Sequence, residues 1–247
     1  MQLSRLRVPL AAILLACSST ATTDPGTTPV VVTPVPAFYA ANFRNVVSLT
    51  VDGTNIVIVT KDLPDHKSPY YGTGNVMYEA YNGSNASFAL NPNRIIEQQL
   101  TFRIPITPVK QATTSPTPLG PIGIAVNGVA IFNQYAGPNQ PLTGEINSFD
   151  QYAGHPQNTG QYHYHVEPKW LTRDSRDALI GVLLDGFPVY GPVENGVILS
   201  SANLDAAHGH TSPTKEFPAG IYHYHTTADA PYINGSGFVG SAGTVGR

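Results

Sequence analysis

Ile180-Gly181-Val182-Leu183-Leu184-Asp185-Gly186-Phe187-Pro188-Val189-Tyr190 reads as an apolar strand, a turn and a second apolar strand. Asp-Gly between two apolar runs suits a tight two-residue hairpin, because the central turn positions need a positive φ. The same pattern stands 58 positions earlier, as Ile122-Gly123-Ile124-Ala125-Val126-Asn127-Gly128-Val129-Ala130-Ile131-Phe132. Two more blocks follow each copy in the same order. Asp150-x-x-x-Gly154-His155 matches Asp205-x-x-x-Gly209-His210 at an offset of 55. Gly160-Gln161-Tyr162-His163-Tyr164-His165 matches Gly220-Ile221-Tyr222-His223-Tyr224-His225 at an offset of 60. Residues 121–168 and 179–228 are therefore expected to be two copies of one unit. Two copies are too few for a solenoid, so the expectation is a single domain with an internal duplication and pseudo-two-fold symmetry.

Upstream, Val46 to Thr60 predicts a hairpin turning at Asp52-Gly53, and Leu100 to Ile106 predicts a strand through Phe102 and Ile104. Gln111 to Pro121 reads as a Thr/Pro-rich connection. No segment keeps a 3.6-residue apolar period, and only Trp170 to Leu179 suggests one short helix. With 23 Gly and 22 Pro in 247 residues, turns are frequent and long helices disfavoured. The class predicted is mainly β, with few or short helices. Charged residues make up 12% of the chain and the net charge is −3 without a basic block, which excludes a nucleic-acid partner.

The N-terminus predicts a processing signal. Arg5 and Arg7 precede a short apolar run, Val8 to Ala16, and Leu14-Leu15-Ala16-Cys17 is similar to a bacterial lipobox. Residues 1–17 are then a lipoprotein signal peptide, with Cys17, the sole cysteine, as the lipidated residue. The Pro/Thr-rich stretch 18–36 reads as an extended tether, with the folded domain over 37–247 and starting near Phe38. The expected location is outside the cytoplasm, lipid-anchored to the outer membrane or cell surface. The membrane is then a partner through the anchor. A lipidated Cys17 leaves no thiol for a metal site.

Six of the eight histidines belong to the two copies: His155, His163 and His165, and His210, His223 and His225. On a strand, alternate side chains share a face. His163 and His165 therefore point one way and Tyr162 and Tyr164 the other, with Cα atoms two residues apart separated by about 6.6 Å. Imidazoles can lean across that gap to one ion, and the Gly-His upstream adds a third to each copy. Three His ligands leave one coordination position open, as in catalytic zinc sites, and thiol-free imidazole sites also suit copper. Asp150 and Asp205 are candidate ligands or acceptors that orient a ring. His208 is an alternative to His210. The competing reading is a buried Tyr/His hydrogen-bonded core, in which Tyr162, Tyr164, Tyr222 and Tyr224 pack. Asn127 reads as a turn residue. Asp185 reads either as a turn residue or as a catalytic group.

These pieces resemble the YHYH family of exported bacterial proteins. The match runs through Leu63-Pro64-Asp65-His66, Asn127-Gly128-Val129, Gly154-His155-Pro156 and the Tyr-His-Tyr-His of 162–165. It continues through Leu184 to Pro192, Leu204-Asp205 with Gly209-His210, and the Tyr-His-Tyr-His of 222–225. The resemblance covers roughly residues 40–240. It makes His66 a further site candidate and implies no particular activity. Family members often carry cysteines near the Asp and Gly-His segments; here Tyr152-Ala153 and Ala206-Ala207 stand there, which argues against a thiol-dependent role. Three functions are open: a metal-binding protein using zinc or copper, a metal-dependent hydrolase or oxidoreductase with Asp185 or Glu145 as acid or base, or a non-metal module binding glycans or proteins.

Overall fold

The computed structural model describes residues 33–247 except Ser236. The expected signal peptide, Cys17 and most of the expected tether lie outside the described residues. Thr33–Arg247 form one compact unit. Among the described residues, no helix is long and apolar enough to cross a membrane.

The chain opens with a short helix, α1 (Ala37–Asn42), which seats Tyr39 in the core. The expected hairpin follows as β1 (Ser48–Asp52) and β2 (Asn55–Thr60), closed where Asp52 faces Asn55. Next comes β3 (Leu100–Pro105), whose Leu100, Phe102 and Ile104 are buried while alternate residues are not. This period of two is what a strand with one face on the core requires. The chain continues with β4 (Lys110–Ser115), β5 (Pro121–Ala125) and β6 (Ala130–Phe132), then a two-residue ribbon of β7 (Tyr135–Ala136) and β8 (Gln140–Pro141). The strands β9 (Gly154–Pro156) and β10 (Tyr162–Tyr164) complete the first motif region. The second brings β11 (Leu179–Leu183), β12 (Pro188–Tyr190), a ribbon of β13 (Val193–Glu194) and β14 (Val197–Ile198), β15 (Gly209–Ser212) and β16 (Ile221–His225). The chain ends with β17 (Phe238–Gly240) and β18 (Thr244–Gly246).

Two sheets hold most of these strands. The smaller runs β1-β2-β3-β18, antiparallel throughout. The larger runs β15-β16-β12-β11-β5-β6-β10-β9. At its centre Ile124 faces Val182, while Gly123 faces Leu183 and Ala125 faces Gly181. Outward from that pair, each side adds an antiparallel strand, a parallel Tyr-His strand and an antiparallel Gly-His strand. Sheet order thus reads the same in both directions from the centre. β5 and β11 are buried on both faces, which explains their continuous apolar sequence. Ile56, Ile58, Phe102 and Ile104 share one core with Ile122, Ile124, Val182 and the four motif tyrosines. Each fully buried aliphatic or aromatic side chain contributes about 1.5–3 kcal/mol relative to exposure.

Two expectations need correction. The segment from Trp170 forms turns and bends and runs into β11 at Leu179, with no helix. Glu167 accepts hydrogen bonds from Thr172 Oγ1 (2.9 Å) and from Arg176, while the Arg173 guanidinium lies 4.0 Å from the Trp170 ring. Side-chain bonds of this kind compete with the helical ladder. The segment from Gln111 is not all connection either: Lys110–Ser115 is a strand paired with β17. Its side chains are all exposed, so no alternation marks it; Lys110 lies 4.3 Å over the Tyr222 ring.

Two candidate metal centres

The Tyr-His strands separate their side chains by face. Tyr162 Oη donates to Asp150 (2.9 Å) and Tyr222 Oη to Asp205 (2.9 Å). Tyr224 Oη donates to Asp185 (2.7 Å), and Tyr164 Oη accepts from Asn127 Nδ2 (3.2 Å). The histidines point the other way, where the Gly-His strands meet them: His155 sits across from His163 and His210 across from His223. Glycine precedes each of these two histidines because a Cβ would lie 2.4 Å from the Tyr162 ring at Gly154, and 2.4 Å from the His223 carbonyl and 2.5 Å from the Tyr222 hydroxyl at Gly209.

The first cluster is His155, His163 and His165, all buried. His163 Nδ1 donates to the Gln161 carbonyl (3.1 Å) and His165 Nδ1 to the Asn133 carbonyl (2.6 Å). Ser148 Oγ gives its proton to the Glu145 carbonyl (2.7 Å), so it accepts from His155 Nδ1 (2.7 Å). Each neutral ring thus carries its proton on Nδ1, and its Nε2 is a bare lone pair. Yet the Nε2 atoms face one another, 3.1 Å apart for His155 and His163 and 2.9 Å for His163 and His165. Two lone pairs cannot hydrogen-bond, so these contacts call for a cation between them. A proton is disfavoured: burial, then neighbouring imidazoles, hold His155 down at about 3 and His163 well below its ordinary value, while burial holds His165 near 4. A metal ion fits. Two nitrogens about 2.0–2.1 Å from one tetrahedral ion lie roughly 3.3 Å apart.

The second cluster is His210, His223, His225 and Glu194. His223 Nδ1 donates to the Ile221 carbonyl (3.0 Å) and His225 Nδ1 to the Gly191 carbonyl (2.7 Å), repeating the first arrangement. His210 Nε2 lies 3.2 Å from His225 Nε2 and 3.2 Å from Glu194 Oε2. The buried Nε2 of His223 has no hydrogen-bond partner. Burial lowers the His223 and His225 pKa values, His225 to about 4. Burial opposes ionisation of Glu194, but the Ser212 hydroxyl and the three imidazoles outweigh it and hold its pKa below the usual range. A carboxylate also stands at the first cluster, with Glu145 Oε1 3.4 Å from His155 Nε2; burial raises its pKa.

Both Tyr-His-Tyr-His segments therefore carry a ligand-ready imidazole cluster. A family model described as YHYH protein matches residues 101–196 and 193–240. The chain belongs to the YHYH family. No curated protein and no solved structure matches it. The YHYH segment contains all six clustered histidines and both glutamates.

The six imidazoles fall into two clusters rather than one. The remaining candidates sit elsewhere. Asp150 also accepts from Ser68 Oγ (2.6 Å) and from the Tyr152 and Gly154 amides; Asp205 accepts from the Ala207 and Gly209 amides. Both carboxylates serve the tyrosine face and orient no imidazole of either cluster. His66 donates from Nδ1 to the Lys67 carbonyl and faces Tyr164 Oη through Nε2 (3.2 Å), beside Tyr152 and Trp170. His208 Nε2 bonds Thr227 Oγ1 (2.9 Å). Asp185 accepts from Tyr224 Oη and from the Phe187 and Gly240 amides, as the turn reading expects. Sequence reasoning missed Glu194. At the offset of 58 stands Ala136, so aligning the two matching stretches of sequence hid it.

Proposed function

We propose that this protein is an exported, membrane-anchored metal-binding protein that holds zinc or copper at two histidine centres. The supporting observation is the convergence of Nε2 lone pairs at each cluster, with the Nδ1 protons of five of the six rings directed to acceptors outside it. Oriented rings of this kind are what metal-ligating histidines need. Both ions are chemically suited to thiol-free imidazole donors. Anchoring rests on Arg5, Arg7 and the segment ending in Cys17.

Elemental analysis of the protein, purified without an affinity tag or chelator, tests the reading. Two equivalents of metal per chain are expected, with one lost on changing His163 to Gln and one on changing His223 to Gln. A wild-type chain that takes up neither zinc nor copper overturns it. Labelling with palmitate, lost in Cys17→Ala, tests the anchor. A metal-dependent hydrolase or oxidoreductase is the second reading. It is favoured at the second centre alone, because His223, His225 and Glu194 line an open cavity there.

A further inference from the structure

The two centres share their imidazole geometry but differ in how they meet solvent. At the first, His155, His163 and His165 are each 2% exposed. Phe132 stacks on His163 at 3.9 Å and Phe149 meets His155 edge-on at 4.8 Å. Glu145 beside His155 is partly exposed, but the three rings themselves are covered. At the second centre two of the four donors reach water: the side chains of His210 and Glu194 are 28% and 19% exposed. Tyr190 takes the place of Phe132, and its ring meets His223 edge-on at 5.2 Å. Beside it lies a cavity of about 620 Å³, lined by His223, His225 and Glu194 among others.

This cavity carries an excess of negative charge. Asp177, Glu194 and Glu216 line it. Asp177 accepts from the Ser175 hydroxyl and Glu216 from Tyr190 Oη, bonds that orient a carboxylate without neutralising it. Against these acids stand Lys215 and Arg44, and the Arg44 guanidinium is already paired with Asp65 (3.3 Å). His223 lines the same cavity; it is buried, and its Nε2 has no hydrogen-bond partner. An acidic cavity that includes an unpartnered imidazole nitrogen is complementary to a metal cation.

We infer, resting on the metal reading above, that the second centre is an exchange site which divalent cations enter and leave through the acidic cavity, whereas the first centre retains its ion. What is exchanged is the ion itself, so no vacant coordination position is required. His210 and Glu194 reach water and can let go of the ion one at a time while His223 and His225 still hold it. At the first centre each ring is packed on all sides, so release waits for a local opening of the fold. The excess of carboxylates raises the concentration of cations in the cavity and speeds their capture.

The test follows metal loss with time. Full-length protein is loaded with zinc, or with copper(II) where zinc does not bind, and mixed with excess EDTA; desalted aliquots then go to elemental analysis. Two phases of one equivalent each are expected, at least about tenfold apart in rate. His163→Gln should keep the fast phase only, and His210→Ala the slow phase only. Refilling of the second centre should slow by about threefold or more in the double variant Asp177→Asn, Glu216→Gln at low salt. In wild type it should slow likewise between roughly 0.01 and 1 M salt, over which the screening length falls from about 30 to about 3 Å. A wild type that takes up neither zinc nor copper sinks the metal reading itself. Two ions that leave at one rate, or a fast phase that survives in His210→Ala, overturn this inference alone. Refilling at the wild-type rate in the double variant, or refilling indifferent to salt, overturns the acidic cavity as the route.

Discussion

A neutral imidazole has one proton and one lone pair, and what the proton bonds decides where the lone pair points. At His163, His165, His223 and His225 that choice is made by carbonyls of the strands or of residues directly flanking them. His163→Gln should therefore remove one equivalent of metal while leaving the other, read by elemental analysis. The hairpin residues obey the same rule of donors and acceptors. Asn127 must donate, to Asp65 Oδ1 (2.9 Å) and to Tyr164 Oη. Asp185 must accept, from Tyr224 Oη and the Gly240 amide. Asp185→Asn would set an amide NH₂ against the Gly240 N–H, with an expected cost of about 2 kcal/mol in urea unfolding and no change in metal content. Loss of metal in that variant would return Asp185 to the site.

At the scale of elements, the second strand of each central hairpin pairs in parallel with a Tyr-His strand. Gly186 turns at a φ of +85°, and a Cβ there would lie 2.5 Å from the Pro105 carbonyl, at the end of β3. Gly186→Ala is expected to destabilise the fold by more than about 1 kcal/mol, because it combines a disfavoured φ with a backbone clash. A chemical-denaturation midpoint equal to wild type would contradict that. The β13–β14 ribbon has a different role. It carries Glu194 to the second cluster, whereas the β7–β8 ribbon offers Ala136 at the matching place. Glu194→Gln should weaken metal binding at the second centre by at least about tenfold and leave the first unchanged, as measured by competition with a chromogenic chelator.

Across the whole molecule, the buried imidazoles couple stability to pH. A histidine whose folded pKa lies below its ordinary 6.5 resists protonation only while folded. Its contribution is therefore complete above 6.5 and is lost as pH falls toward the folded value, about 3 for His155 and about 4 for His165 and His225. Burial raises Asp150 and Asp185, which acts in the opposite sense: their contribution is greatest below 3.8 and declines as pH rises. Metal-free protein should thus lose stability steadily between pH 6.5 and 4, followed by thermal unfolding. Stability that rises steadily as pH falls from 6.5 to 4 would contradict this. At pH 7, a metal at one hundred times its Kd should add about 2.7 kcal/mol per site.

The sequence by itself determined the mainly β class, the central hairpins, the face on which the histidines lie and the identity of all six clustered rings. These follow from strand periodicity and turn chemistry, which are local. Only the tertiary structure decided that the rings form two centres, that Asp150, Asp205, His66 and His208 lie apart from them, and that Glu194 joins one. The outcome depends on pairing between strands distant in sequence. β4 was illegible for a related reason, since its partner β17 lies more than a hundred residues away and its side chains are all exposed. The difference in what surrounds the two clusters is likewise a matter of packing. It turns on Phe132 against Tyr190, and on a cavity whose walls come from segments as far apart as Arg44 and Lys215.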